Sequence, residues 1–270
     1  MKRFTPPEQW QPSSLNIGAF DDLNTLFKLN EQTHWPSPQY FKPYINAVNE
    51  NNLPIEFVDD AKIDFAGRYY EQVIFETGDV PTRIENWHDL FGAFIWCLFP
   101  KTKALINHSH VKDIAQFGLQ KRTKHRNALT LFDECGVVLA ISDKKWQQWF
   151  CNHQWQTAFV EHRAQWGKTI KPYMFGHANY EMLTRPYIGL TGKALFVCVP
   201  DEIFCKDLKE QYEYIDNKLY EMIKTDNCLA DNSQLSPLPL LGVPGWHDEN
   251  KNELFYNNTD YFRPKRRTRA

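Results

Sequence analysis

Three short stretches carry side chains that could do chemistry together: His88-Asp89, Asp133-Glu134, and His177 with Glu181 four residues on. On a helix that spacing puts His177 and Glu181 on one face, within reach of one cation or one proton path. Imidazoles and carboxylates near an apolar core are expensive unless they pair, bind a metal or open on a cleft, which singles these groups out from the other histidines and acids. If the three stretches converge, His88, Asp89, Asp133, Glu134, His177 and Glu181 become the ligand set of a divalent metal that activates water. Within that set His88, Asp89, His177 and Glu181 are the candidate catalytic acid/base groups. Each also has a structural reading. Asp89 complements a helix dipole, His88 is a satisfied core histidine, Asp133 opens a turn, and His177–Glu181 is a helix-surface contact.

A second set is basic: Arg83, Lys101, Lys103, Arg122, Lys124 and Arg126, with Asn107 nearby. Beside an acidic site these would bind a phosphate or carboxylate substrate, because guanidinium pairs bidentately with both. The leading expectation is therefore a hydrolase-like enzyme with a divalent metal, acting on an anionic, phosphate-bearing substrate. The alternative is a non-enzymatic module that binds RNA or an acidic partner through Lys121–Arg126 and the basic C-terminus. Several familiar sites are excluded. Gly189-Leu190-Thr191-Gly192-Lys193-Ala194 has the Gly-Lys of a phosphate loop, but Tyr187 stands where the first glycine belongs and Ala194 where a Ser or Thr would hold magnesium. No GxGxxG, GxSxG or HExxH occurs.

The elements that must position these groups are organised around the stretch from Arg83 to Asn107. After Pro81 and Asn86, the residues Trp87, Leu90, Phe91, Phe94 and Leu98 fall on one helical face, and Ala93, Ile95, Trp96 and Cys97 cover most of the other. A helix apolar all round is a buried one. Alternation over Arg68–Glu76 predicts a strand, Ala128–Phe132 another, and Asp133-Glu134-Cys135-Gly136 a type I turn into a hairpin with Val137–Ile141. Helices are expected after Asp143, near Trp155–Trp166, over His177–Leu183 and over Asp201–Thr225; Ala194–Val199 reads as a buried strand. From Leu235 the Pro- and Gly-punctuated SPLPLLGVPGW must lie extended as a strap. Strands and helices without a βαβ rhythm give α+β: a small antiparallel or mixed sheet packed with a buried central helix and several surface helices.

Four stretches carry a family resemblance: Arg83 to Asn107 (TR..NWHDLF…W..FP.TKA.LN), Ala128 to Glu134, Phe175-Gly176-His177-Ala178 with Glu181, and Pro237 to Trp246 with Phe255-Tyr256 and Phe262-Arg263-Pro264. In these the chain resembles an uncharacterised proteobacterial family catalogued as a domain of unknown function, DUF3025. The resemblance runs from about Tyr70 onward and implies that the matched residues form one unit; it implies no reaction. Members usually carry Arg-Asp where this chain has Arg126-Asn127, and Asn where it has Gly92. An Asp that is catalytic in relatives would make this chain a degenerate enzyme.

Length and composition are those of an ordinary globular protein: 270 residues, 42% hydrophobic and 24% charged. One compact domain is expected, with residues 1–53 as an N-terminal arm or small helical subdomain, 54–262 as the main unit and 263–270 as a basic tail. Of the formal charge of −2, five positive charges sit in that tail, leaving −7 on the body. The six cysteines show no CxxC spacing, which favours reduced core thiols over a disulfide framework. The start MKRFTPPEQWQPSSLN lacks an apolar signal core, and the longest apolar run, Phe91–Phe99, is too short for a membrane span. The expectation is a cytoplasmic protein.

Overall fold

The computed structural model describes residues 4–265. In chain order the elements are α1 (Asp21–Phe27), β1 (Glu56–Asp59), α2 (Tyr70–Thr77), β2 (Asp79–Thr82), α3 (Trp87–Leu98), α4 (Pro100–Phe117), α5 (Lys124–Cys135), β3 (Gly136–Ile141), α6 (Lys145–Cys151), β4 (Ile170–Met174), α7 (His177–Leu183), β5 (Thr191–Cys198), α8 (Leu208–Lys224) and β6 (Ser236–Pro239). The fold is α+β. A four-stranded mixed sheet runs β4-β3-β5-β6: β3 is antiparallel to β4 and parallel to β5, and β6 is antiparallel to β5. The parallel pair β1-β2 lies apart.

Every residue of β3 is buried, as expected for a central strand covered on both faces. Helix α3 is the buried helix that its sequence predicts, with Phe91, Phe94 and Ile95 wholly enclosed. The Asn86 side chain accepts from the Asp89 backbone N–H at its first turn. Pro100 then opens α4, where its missing N–H leaves no partner wanting. Segments before residue 54 pack into the same core. Trp87 donates to the Pro7 carbonyl and stacks on Trp10, while Phe20 stacks against Tyr180.

Four expectations are corrected. Residues 70–77 form a helix, α2, not a strand. The Tyr69 N–H donates to Gln72 at its start, Gly78 closes it with a positive φ, and Val73 and Ile74 supply its buried stripe. Lys124–Cys135 is likewise a helix rather than a strand and turn: Thr123 caps it, and Arg126, Ala128, Leu129 and Phe132 face inward at helical spacing. The long helix expected from Asp201 is broken. Asp201–Cys205 is a 3₁₀ turn, and Asp207 caps a separate α8. Part of the C-terminal strap is a true edge strand, β6, whose prolines sit where a sheet edge tolerates them. The cysteines are all free, but Cys198 and Cys205 are exposed rather than in the core.

No helix among the described residues is long and apolar enough to cross a membrane. Of the basic tail, Arg263 and Lys265 lie against the body, the Arg263 carbonyl accepting from Trp155 and Lys265 donating to Asn152. Arg266–Ala270 fall outside the described residues.

Candidate functional site

Two glycines bring the chemistry together. Helix α5 runs straight into β3 at Gly136, and β4 turns into α7 at Gly176, and the two chain segments cross in contact: the Gly176 N–H donates to the Gly136 carbonyl at 2.7 Å. A Cβ on Gly176 would stand 2.5 Å from the Gly136 nitrogen, and one on Gly136 2.4 Å from the Phe132 carbonyl oxygen, so neither position has room for a side chain. Asn179 ties the crossing further by donating to the Cys135 carbonyl. Asp133 and Glu134, in the last turn of α5, are thereby set beside His177, the first residue of α7. Helix α3 packs along α7 and delivers His88 from its first turn.

The two imidazoles meet through Nε2, 3.0 Å apart. Glu134 Oε2 lies 3.7 Å from His177 Nε2, and one ligand atom each from His88, Glu134 and His177 falls within 4.8 Å of the others. Behind the rings stand two more carboxylates. His88 Nδ1 contacts Glu181 at 3.2 Å, and His177 Nδ1, buried without a hydrogen-bond partner, faces Asp133 at 3.9 Å. Lys103 donates to Asp133 at 2.6 Å and fixes that carboxylate in place.

These environments push the titrations apart. Burial drives the His177 imidazole down to about 4, so it is neutral at pH 7. Burial also works against the charged form of His88, but the Glu181 hydrogen bond and the Glu134 charge outweigh it and its pKa rises. Desolvation raises Glu134. For Asp133 desolvation is outweighed by Lys103, and its pKa falls.

The cluster sits at one side of a cavity of about 490 Å³ lined by α2, β2, α3, α4 and the ends of α5 and α7. Trp96, Tyr69 and Tyr70 supply aromatic walls. Among the described residues the cavity is lined by five carboxylates, Asp60, Glu71, Asp89, Asp133 and Glu134, against two permanent cations, Arg83 and Lys103.

Of the six metal-ligand candidates from the sequence, His88, Glu134 and His177 converge. Asp89 does not join them: it is held bidentately by Arg83, at 2.9 and 2.7 Å, and also accepts the Arg83 backbone N–H. Glu181 and Asp133 stand one step back, behind the imidazoles. The expected anion clamp is not assembled. Arg83 is spent on Asp89 and Lys103 on Asp133. Lys101 lies at the other side of α4, bonded to Asn217. Arg122 is exposed on the loop before α5, and Arg126 is buried with its guanidinium over the Tyr69 ring. Asn107 lines the cavity and donates to Glu71. Sequence reasoning missed Asp60, Tyr70 and Glu71. For Glu71 the helical spacing of Val73, Ile74 and Gly78 was the available signal, masked by an apparent alternation.

A family model described as "Protein of unknown function (DUF3025)" matches residues 55–266, and the chain belongs to that family. No curated protein and no solved structure matches it.

Proposed function

We propose that this member of the DUF3025 family is a hydrolase-like enzyme whose water is activated by a divalent metal on His88, His177 and Glu134. One observation carries the reading: two histidines present Nε2 to a common point beside a carboxylate, and each ring has a further carboxylate on its Nδ1 side. Metal-bound histidines characteristically donate their other N–H to a carboxylate, which fixes the tautomer and the ring plane. Two edges of the donor triangle, 3.0 Å between the imidazoles and 3.7 Å from His177 to Glu134, bracket the roughly 3.3 Å between tetrahedral ligands about 2 Å from one ion. His177 is neutral at pH 7, so one of its ring nitrogens carries no proton and can act as a ligand. Two imidazoles and one carboxylate leave a position for water, whose pKa a bound zinc brings to about 7; the same donors suit iron(II).

The protein's own groups divide the remaining work. Glu181 holds the Nδ1 proton of His88, and Asp133, steadied by Lys103, faces that of His177. Tyr70 is 40% exposed and lines the cavity. Enclosure of the hydroxyl, together with the Glu71 and Asp89 charges, keeps its pKa well above the ordinary range. It is therefore an O–H donor to an oxygen of a bound substrate. An anionic substrate would have only the ion as counter-charge, since both cavity cations are already paired. The charge balance supports a substrate that is not an anion.

Elemental analysis of protein purified without a metal column or chelator, beside His88→Ala, tests the reading. About one equivalent of zinc or iron, lost in the variant, is the expected result. A wild-type protein that takes up no divalent ion on titration overturns it, and leaves metal-free acid/base chemistry between the two imidazoles.

A further inference from the structure

In the same cavity, α2 and α4 form a wall with a different character. Asn107 is 2% exposed and lines the cavity. Its Nδ2 donates to the Glu71 carbonyl at 2.9 Å and to Glu71 Oε2 at 2.7 Å. Both partners are acceptors, so the amide orientation is fixed and Oδ1 is the other end. That Oδ1 is buried and has no partner. An enclosed acceptor with no partner loses its hydration without recompense, so the position calls for a donor.

The surrounding charge calls for the same donor to be positive. Among the described residues neither Glu71 nor Asp60 forms an ion pair with a lysine or arginine, whereas Arg83 and Lys103, the cavity's own cations, are consumed by Asp89 and Asp133. Tyr70 adds an aromatic wall beside Glu71. A carboxylate, a neutral acceptor and an aromatic face are the groups that bind an N–H-bearing cation.

We propose that the Glu71–Asn107 wall is a subsite for a cationic nitrogen group of the substrate, an amidinium, guanidinium or ammonium, which donates to Asn107 Oδ1 and Glu71 and whose charge is met by Glu71 and Asp60. The metal-centred cluster then faces the part of the substrate that is cleaved. This deepens the hydrolase reading by naming the substrate's charge, and rests on that reading for the word substrate. The binding itself needs no metal, so the two fail separately.

Calorimetric titration of the full chain, freed of metal by a chelator, with benzamidine, benzamide and benzoate tests the subsite. These probes share a ring and a planar head group and differ in charge. Benzamidine should bind at millimolar concentration or better, benzamide at least about tenfold more weakly and benzoate not at all, and Glu71→Gln should weaken benzamidine about tenfold or more. His88→Ala should leave benzamidine binding in place even where it abolishes metal uptake. The proposal is overturned if benzoate binds as well as benzamidine, if no heat is seen with benzamidine at about 10 mM, or if a folded Glu71→Gln binds it unchanged. The wild-type ranking decides the matter even if the variant does not fold.

Discussion

The imidazole and acidic groups of this chain converge, while its basic groups scatter, and the difference lies in what each is attached to. His88 sits in the first turn of the buried helix α3, and Glu134 and His177 flank the close Gly136–Gly176 backbone crossing. Their side chains have little freedom to go elsewhere. Arg83, Lys101 and Lys103 are long and flexible, and each finds a local acceptor before reaching the cavity centre. Residue type marks both sets equally well in a sequence; backbone rigidity decides which set assembles.

The comparison breaks if a basic residue proves to be part of the assembled set. The largest expected effect concerns Lys103, which bonds Asp133 in the cluster's outer shell. Lys103→Met leaves Asp133 enclosed without its counter-charge and should destabilise the protein by about 3 kcal/mol. The urea midpoint reads this, and adding Asp133→Asn should restore much of the loss. An unchanged midpoint in the single variant would show Asp133 to be solvated.

The titrations sharpen the contrast within the converged set. His177, whose folded pKa of about 4 lies below the ordinary 6.5, gives stability that is present above about pH 6.5 and is lost as pH falls toward 4, because the unfolded chain takes up a proton the folded one refuses. His88 has the opposite sign: its raised pKa gives stability below pH 6.5 that fades as pH rises through the folded value. In chelated protein, His177→Asn should flatten the acid side of the stability profile between about pH 6.5 and 4, and an equally steep slope in that variant would refute the assignment. The smallest effect belongs to the scattered set. Arg122→Ala, on an exposed loop, should shift stability by less than about 0.5 kcal/mol and leave metal content untouched. A loss of metal there would mean that the basic run belongs to the site after all.

Much of the frame was legible from α3, whose apolar residues on every face could only describe a buried helix, and from α7, where His177 and Glu181 share a helix as their spacing implies. The errors have one physical root. RYYEQVIFE and ALTLF are rich in aromatic, β-branched and large aliphatic residues and over a few positions satisfy both periods. What makes them helical is tertiary: Val73 and Ile74 pack inward from α2, and Ala128, Leu129 and Phe132 from α5. Reading α5 as a hairpin put Asp133 and Glu134 on an exposed turn, when they are the end of a helix pointed at His177. Which acids would be ligands and which would stand behind could not be read from spacing, because Asp89 is drawn away by an arginine six residues earlier and Glu181 is drawn to a histidine 93 residues distant.

The Gly136–Gly176 crossing also bears on when the site comes into being. Its hydrogen bond joins residues forty apart, and the His88–His177 contact spans 89. Contacts of such sequence separation form late, after the chain has met the entropy of closing long loops. A chain emerging during synthesis has no second imidazole to offer an ion at His88 until α7 is made and β4 has docked on β3. Metal capture, on the proposed reading, is then a closing event of folding rather than a nucleus for it, and bound ion should slow unfolding far more than it speeds refolding.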